Sequence, residues 1–190
     1  MAVINVPGMQ SPLSPRLARA SRLLSLGCLV AVFVLPVLVV GKWALDDPAS
    51  LYAAMVPKKG ASPLPDLLEP WQRGVGAVLS LVPTALAMVA LLRVRRCFDS
   101  FAAGLCFDGS VVTGLRGFAG MSALSCAAGM VLQPPLSALL SWQNPAGQRF
   151  ISIGVGSDQV GTLFFAAMVW IIAAVMAKAV AMARENAEFV

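Results

Sequence analysis

Histidine is absent from this chain, which removes the commonest general base and the commonest metal ligand before any motif is considered. Charge is scarce too: 12% of residues are Asp, Glu, Lys or Arg, against roughly 25% in an average soluble domain. Cysteine occurs four times, as Cys28, Cys97, Cys106 and Cys126. Two of these lie inside apolar runs and two on the side that the basic residues mark below as cytoplasmic, so a disulfide framework is not expected. Cys97 and Cys106 lack a third and fourth ligand for zinc, and all four cysteines read as small apolar packing residues. No apolar run carries a charge in its middle, which disfavours a coupled transporter or proton pump. No cofactor and no metal site is expected, and nothing points to an enzyme.

What the chain has in quantity is apolar sequence, with 58% hydrophobic residues and a mean hydropathy of +0.81. The expected fold class is an all-α membrane protein, a four-transmembrane-helix bundle with a small non-helical outer loop region. Residues 1–15, rich in Pro, Gly and Ser, read as a flexible cytoplasmic tail. A single membrane domain then covers 16–190, with spans at about 23–41, 74–92, 114–132 and 160–177, each long enough for a hydrocarbon core of about 30 Å. Lys42 and Trp43 follow the first span where a signal peptide would carry a small-residue cleavage site, so that span reads as an uncleaved anchor. Pro36 and Pro83 mark bends, and Pro134 with Pro135 divides the long run after Gly117 into a span and either a kink or a short outer helix.

Between the spans lie outer loops at 44–70 and 142–158 and a cytoplasmic turn at 93–113. In the first loop PASLYAAM, opened by Asp47, predicts a short helix. In the second, RFISIGVGSD alternates Ile151, Ile153 and Val155 with Ser152, Gly154 and Gly156. That period of two predicts a short strand, paired with the first outer loop. Asp158, with Ser157 as the alternative, is the expected N-cap of the last helix. GVGSDQVG resembles a phosphate-binding glycine loop only superficially, since no lysine follows in place.

Basic residues set the orientation. Arg16, Arg19, Arg22, Arg93, Arg95, Arg96, Arg116, Lys178 and Arg184 fall on the side of the termini, and Lys42, Lys58, Lys59, Arg73 and Arg149 on the other. The positive-inside rule then places both termini in the cytoplasm, with Trp43, Trp71 and Trp142 in an outer aromatic belt. Trp170 lies near mid-membrane, where its N–H needs an acceptor. A net charge of +5 is topological here, with no direct nucleic-acid partner implied.

Ala119, Ala123 and Ala127, Ser125 and Gly129, and Ala173 and Ala177 recur every fourth residue, the spacing of close helix packing in a bilayer. In the cytoplasmic turn Val94, Cys97, Phe98, Phe101 and Leu105 recur at helical spacing up to Gly109, with Ser110 expected to cap the next helix. Phe98, Phe101 and Leu105, rimmed by Arg95, Arg96 and Arg184 and joined by Glu185 of the C-terminal helix, form a candidate partner surface. The expected function is a non-enzymatic accessory or binding module of a bacterial inner membrane. Its partners would be the bilayer and a protein, either a small cytoplasmic regulator or a larger membrane complex in which it serves as a structural subunit.

With its arginine-bounded turn CFDSFAAGLCFDGSVVTGLRGFAG, its RFISIGVGSDQ segment and its AMARENAEFV ending, the chain resembles the domain-of-unknown-function 2975 family of four-helix bacterial membrane proteins. The family's aromatic, glycine and phenylalanine in the turn fall on Phe98, Gly104 and Phe107, and its terminal Glu-Asn pair on Glu185 and Asn186. The resemblance implies a helical bundle with no established activity. Members are often encoded beside small helix-turn-helix regulators, which implies such a protein as partner.

Overall fold

The computed structural model describes residues 15–55, 68–104, 109–145, 149 and 151–188. Five helices account for most of them: α1 (Pro15–Leu45), α2 (Pro48–Met55), α3 (Pro70–Ala102), α4 (Gly109–Leu140) and α5 (Ser157–Glu188). All but α2 are long and apolar enough to cross a membrane, and each holds one expected span. The short helix after Asp47 is present as α2, opened by the Ser50 and Leu51 N–H groups donating to the Asp47 carbonyl.

The long helices pack in chain order, α1 on α3, α3 on α4 and α4 on α5, while α2 rests on α4. Side-chain pairs fix the register. Ser25 meets Asp99 and Trp43 meets Ser80, so α1 and α3 are antiparallel; Gln72 meets Leu139 and Ser125 meets Pro83, so α3 and α4 are too. Phe118 and Phe165 stack edge-on at 6.4 Å in the antiparallel α4–α5 pair. One end of the assembly therefore gathers Arg16, Arg19, Arg22, Arg93, Arg95, Arg96 and Arg116, and the other the tryptophans Trp43, Trp71 and Trp142. Since α1 and α5 flank the row, most of their apolar side chains, from Leu23 and Phe33 to Phe164 and Ile171, face outward, as lipid-facing positions do.

The core lies at the tryptophan end, where Trp43, Leu51, Leu68, Leu136 and Leu140 are buried together. Trp43 is inside the protein at that end; its indole N–H donates to Ser80 Oγ at 3.0 Å and its ring fills the space left by Gly76. Arg73 Nη1 donates to the carbonyls of Trp43, Ala44 and Asp46 at 2.9, 3.0 and 3.2 Å. It thereby satisfies acceptors that the end of α1 cannot pair internally. Buried Gln72 donates to the Leu139 carbonyl and accepts from Gln143 and from the Glu69 N–H, tying α3 to α4 and closing its own helix start.

Several local expectations are corrected. The first helix of the 93–113 turn ends at Gly104, whose φ of +80° suits a residue without a Cβ, and not at Gly109, which opens α4. Ser110 consequently lies inside α4 and does not cap it. Helix α4 runs unbroken through Pro134 and Pro135, so no separate outer helix forms. At the start of α5 the cap is Gly156, whose N–H donates to Gln159 Oε1 at 2.8 Å and whose carbonyl accepts the Val160 N–H. Ser157 and Asp158 therefore sit one and two positions too late.

The expected strand does not form: residues 151–156 carry no regular structure, and no strand pairs with them among the described residues. The alternation is nevertheless physical. Ile151, Ile153 and Val155 are 68%, 82% and 66% exposed, while Ser152 turns onto α4, where Ser137 Oγ accepts its N–H at 2.8 Å and donates to the Pro134 carbonyl. A helix side chain supplies the partner a neighbouring strand would have given. The segment runs back along α4, so α5 begins beside Cys126, whose thiol lies 3.6 Å from the Gln159 carbonyl.

Candidate functional site

The arginine end is built by the last turns of α3. Along RVRRCFDSF, helical spacing sends Val94 and Cys97 toward α4, Arg95 and Asp99 toward α1, and Arg93, Arg96 and Ser100 into the angle between α3 and α4. Cys97 is 1% exposed, and its thiol approaches the Val111 and Arg93 carbonyls at 3.5 and 3.6 Å. This contact exists because position 114 is glycine, since a Cβ there would collide with Cys97 Sγ. Gly117 makes a second gap in α4, and Arg93 lies across it; a Cβ at 117 would fall 2.6 Å from Arg93 Cδ and Nη1.

Three arginines of α3 thus differ in state. Arg95 Nε lies 3.9 Å from Asp99 Oδ2 and 3.4 Å from Ser25 Oγ, while buried Ser25 donates to Asp99 Oδ1 at 2.6 Å. The part-exposed ion pair itself is worth little, but the triad joins α1 to α3 and compensates Arg95. Arg93 and Arg96 have no carboxylate within ion-pair distance among the described residues. They line a cleft of about 510 Å³ with Val89, Leu92, Ser100 and Thr113.

The expected partner surface is only partly assembled. Phe98 and Phe101 are half-buried and meet edge-on, ring centroids 6.5 Å apart, Arg96 and Glu185 are exposed, and Arg95 is held by the triad. Leu105 and the side chain of Arg184 lie outside the described residues. Of the expected packing residues, Ala119 and Ala173 are buried at 2% and 0% exposure, and Ser125 donates to the Pro83 carbonyl of α3 at 2.7 Å. Ala123 and Ala177 are half-buried, Ala127 is exposed, and Gly129 faces open space. The glycines that do permit close approach are Gly76, Gly114 and Gly117, which do not follow the four-residue spacing; the sequence signal for the last two is GLRG, two glycines three apart beside the arginine turn.

A second cleft, of about 390 Å³, lies between α3, α4 and α5. Asp158, Gln159 and Thr162 of α5 face Ser122, Ser125 and Cys126 there. A carboxylate expected in an outer loop is thereby set beside the middle of α4, in register with Pro83 of α3. Trp170 is about half exposed, its ring passing over Gly120 of α4, where a Cβ would stand 3.7 Å from Cζ3, and its indole N–H has no acceptor among the described residues. Comparisons with protein families, with curated proteins and with solved structures give no match to this chain.

Proposed function

We propose that the chain is a multi-pass protein of a bacterial cytoplasmic membrane, both termini in the cytoplasm, that works as a non-enzymatic accessory module and holds a cytoplasmic protein at its arginine end. The observation that carries this is the length of α5. With Phe118 beside Phe165, the start of α4 at Gly109 falls opposite about residue 174. About 14 residues of α5 then run past α4, a projection of roughly 21 Å. Along it Val180 is buried while Val175 and Met182 are 63% and 58% exposed, so one face is used and another is free. Half-buried Phe98 and Phe101 lie at the same end. A projecting helix at the same end as an aromatic pair suits an apolar groove on a partner, and the domain-of-unknown-function 2975 family, if this chain is one of its members, supplies a small regulator as its chemical type.

A structural subunit is the second reading, supported by Trp170: a half-exposed indole with no acceptor among the described residues suits a carbonyl or polar side chain of a neighbouring membrane subunit. Co-purification in mild detergent separates the two. The Phe98→Ser/Phe101→Ser variant and deletion of Glu185–Val190 are expected to lose a soluble companion while inserting normally, and Trp170→Phe to retain it. Loss of membrane companions on Trp170→Phe alone, with both other variants unaffected, would replace the first reading by the second.

A further inference from the structure

The cleft between the arginine ends of α3 and α4 has a polarity that runs along the helix. Val89, Leu92, Arg93, Arg96 and Ser100 share one stripe of α3, spaced three and four apart. The first two are apolar and 37% and 41% exposed; the next two are cationic, and the hydroxyl follows. The change from apolar to basic comes where the α3 span ends, the depth at which a lipid passes from acyl chain to phosphate.

The arginines are placed, and no carboxylate compensates them among the described residues. Arg93 is laid over the Gly117 gap against α4, so its fork is held without a carboxylate. Arg95, two residues away, is answered by Asp99 and Ser25 and points to the other side. The hydroxyl protons of Ser100 and Thr113 are already used: Ser100 Oγ donates to the Arg96 carbonyl at 3.0 Å, and Thr113 Oγ1 to the Gly109 and Ser110 carbonyls at 3.1 and 2.9 Å. Anion recognition in this cleft therefore falls to the two guanidinium groups, which match phosphate oxygens in pairs. The apolar wall above them has no purpose for a free phosphate but fits the upper part of an acyl chain.

We propose that this cleft binds the headgroup of an anionic phospholipid, its phosphodiester between Arg93 and Arg96 and one chain along Val89 and Leu92. Basic pockets between transmembrane helices at an interface take such headgroups in general. The site requires neither the cytoplasmic partner nor a given orientation of the protein.

The purified full-length chain in neutral detergent tests this, by native mass spectrometry with phosphatidylglycerol, phosphatidylcholine or inorganic phosphate added. Phosphatidylglycerol should be retained as a discrete adduct, and phosphatidylcholine much less. Arg93→Gln with Arg96→Gln should weaken retention about tenfold to a hundredfold, whereas Arg95→Gln, outside the cleft, should retain it. Gly117→Ala gives a second route, since its Cβ displaces Arg93 without removing a charge, and it too should weaken binding. Equal retention of both lipids, unchanged retention in the double variant, or competition by inorganic phosphate at equal concentration would each overturn the proposal, the last by making a soluble phosphate the ligand.

Discussion

The sharpest structural test is to put one methyl group under Trp43. In Gly76→Ala the new Cβ would stand 2.7 Å from Trp43 Cε3, with Cζ3 and Cη2 nearer still, where carbon atoms prefer about 3.5–4.0 Å. The ring has little room to retreat: it is 3% exposed, packed with Leu51, Leu68, Leu136 and Leu140, and tethered through its N–H to Ser80. Overpacking of this kind costs about 1–3 kcal/mol, roughly a 5- to 150-fold rise in the unfolding constant. Replacing glycine by alanine within a helix works in the opposite direction, by about 1 kcal/mol. The two effects separate in a double-mutant cycle. Alone, Gly76→Ala should destabilise; in a Trp43→Ala background, where the clash is gone, the same change should be neutral or stabilising. Reversible unfolding of the purified chain in mixed detergent–SDS micelles, followed by circular dichroism, reads both. If Gly76→Ala cost the same with and without the indole, or nothing in either, the packing of α1 on α3 described above would be refuted.

Two further outcomes are expected. Arg73→Gln removes a guanidinium that serves three carbonyls at the end of α1, and should destabilise by about 1.5–3 kcal/mol in the same assay; an effect below the error of the measurement would contradict that capping role. In a variant retaining Cys97 alone, the thiol should resist maleimide in mild detergent and react once SDS unfolds the chain, since Gly114 and Val111 close over it. Rapid labelling of the folded protein would show that contact to be absent.

The helices were legible because their signals are local. Charge-free runs bounded by charged residues mark α1, α3, α4 and α5, and Asp47 before Pro48 marks α2. The failures share one cause, the competition between partners that only packing decides. Ile151, Ile153 and Val155 carry the alternation of a strand, but which face is covered and what takes the Ser152 N–H depend on α4, whose Ser137 could not be placed beside them from spacing. Gly104 and Gly109 are equally able to end a helix, and φ at Gly104 decides it. Small residues four apart suggested where helices meet, yet the closest approaches use Gly76, Gly114 and Gly117, because what matters is the indole, thiol or guanidinium opposite. Basic clustering located the arginine end, while the difference between Arg95 and its neighbours depends on Ser25, a lone hydroxyl in an apolar run.

The measurement that bears most directly on the central claim, a cytoplasmic interaction face at the arginine end, is accessibility in intact cells. Single cysteines at Ser62 and Ser100, in a background with Cys28, Cys97, Cys106 and Cys126 replaced, are exposed to a membrane-impermeant maleimide before and after permeabilisation. The account predicts labelling at Ser62 in intact cells, and at Ser100 only once the membrane is opened. Labelling at Ser100 and not at Ser62 in intact cells would turn the arginine end outward and contradict it.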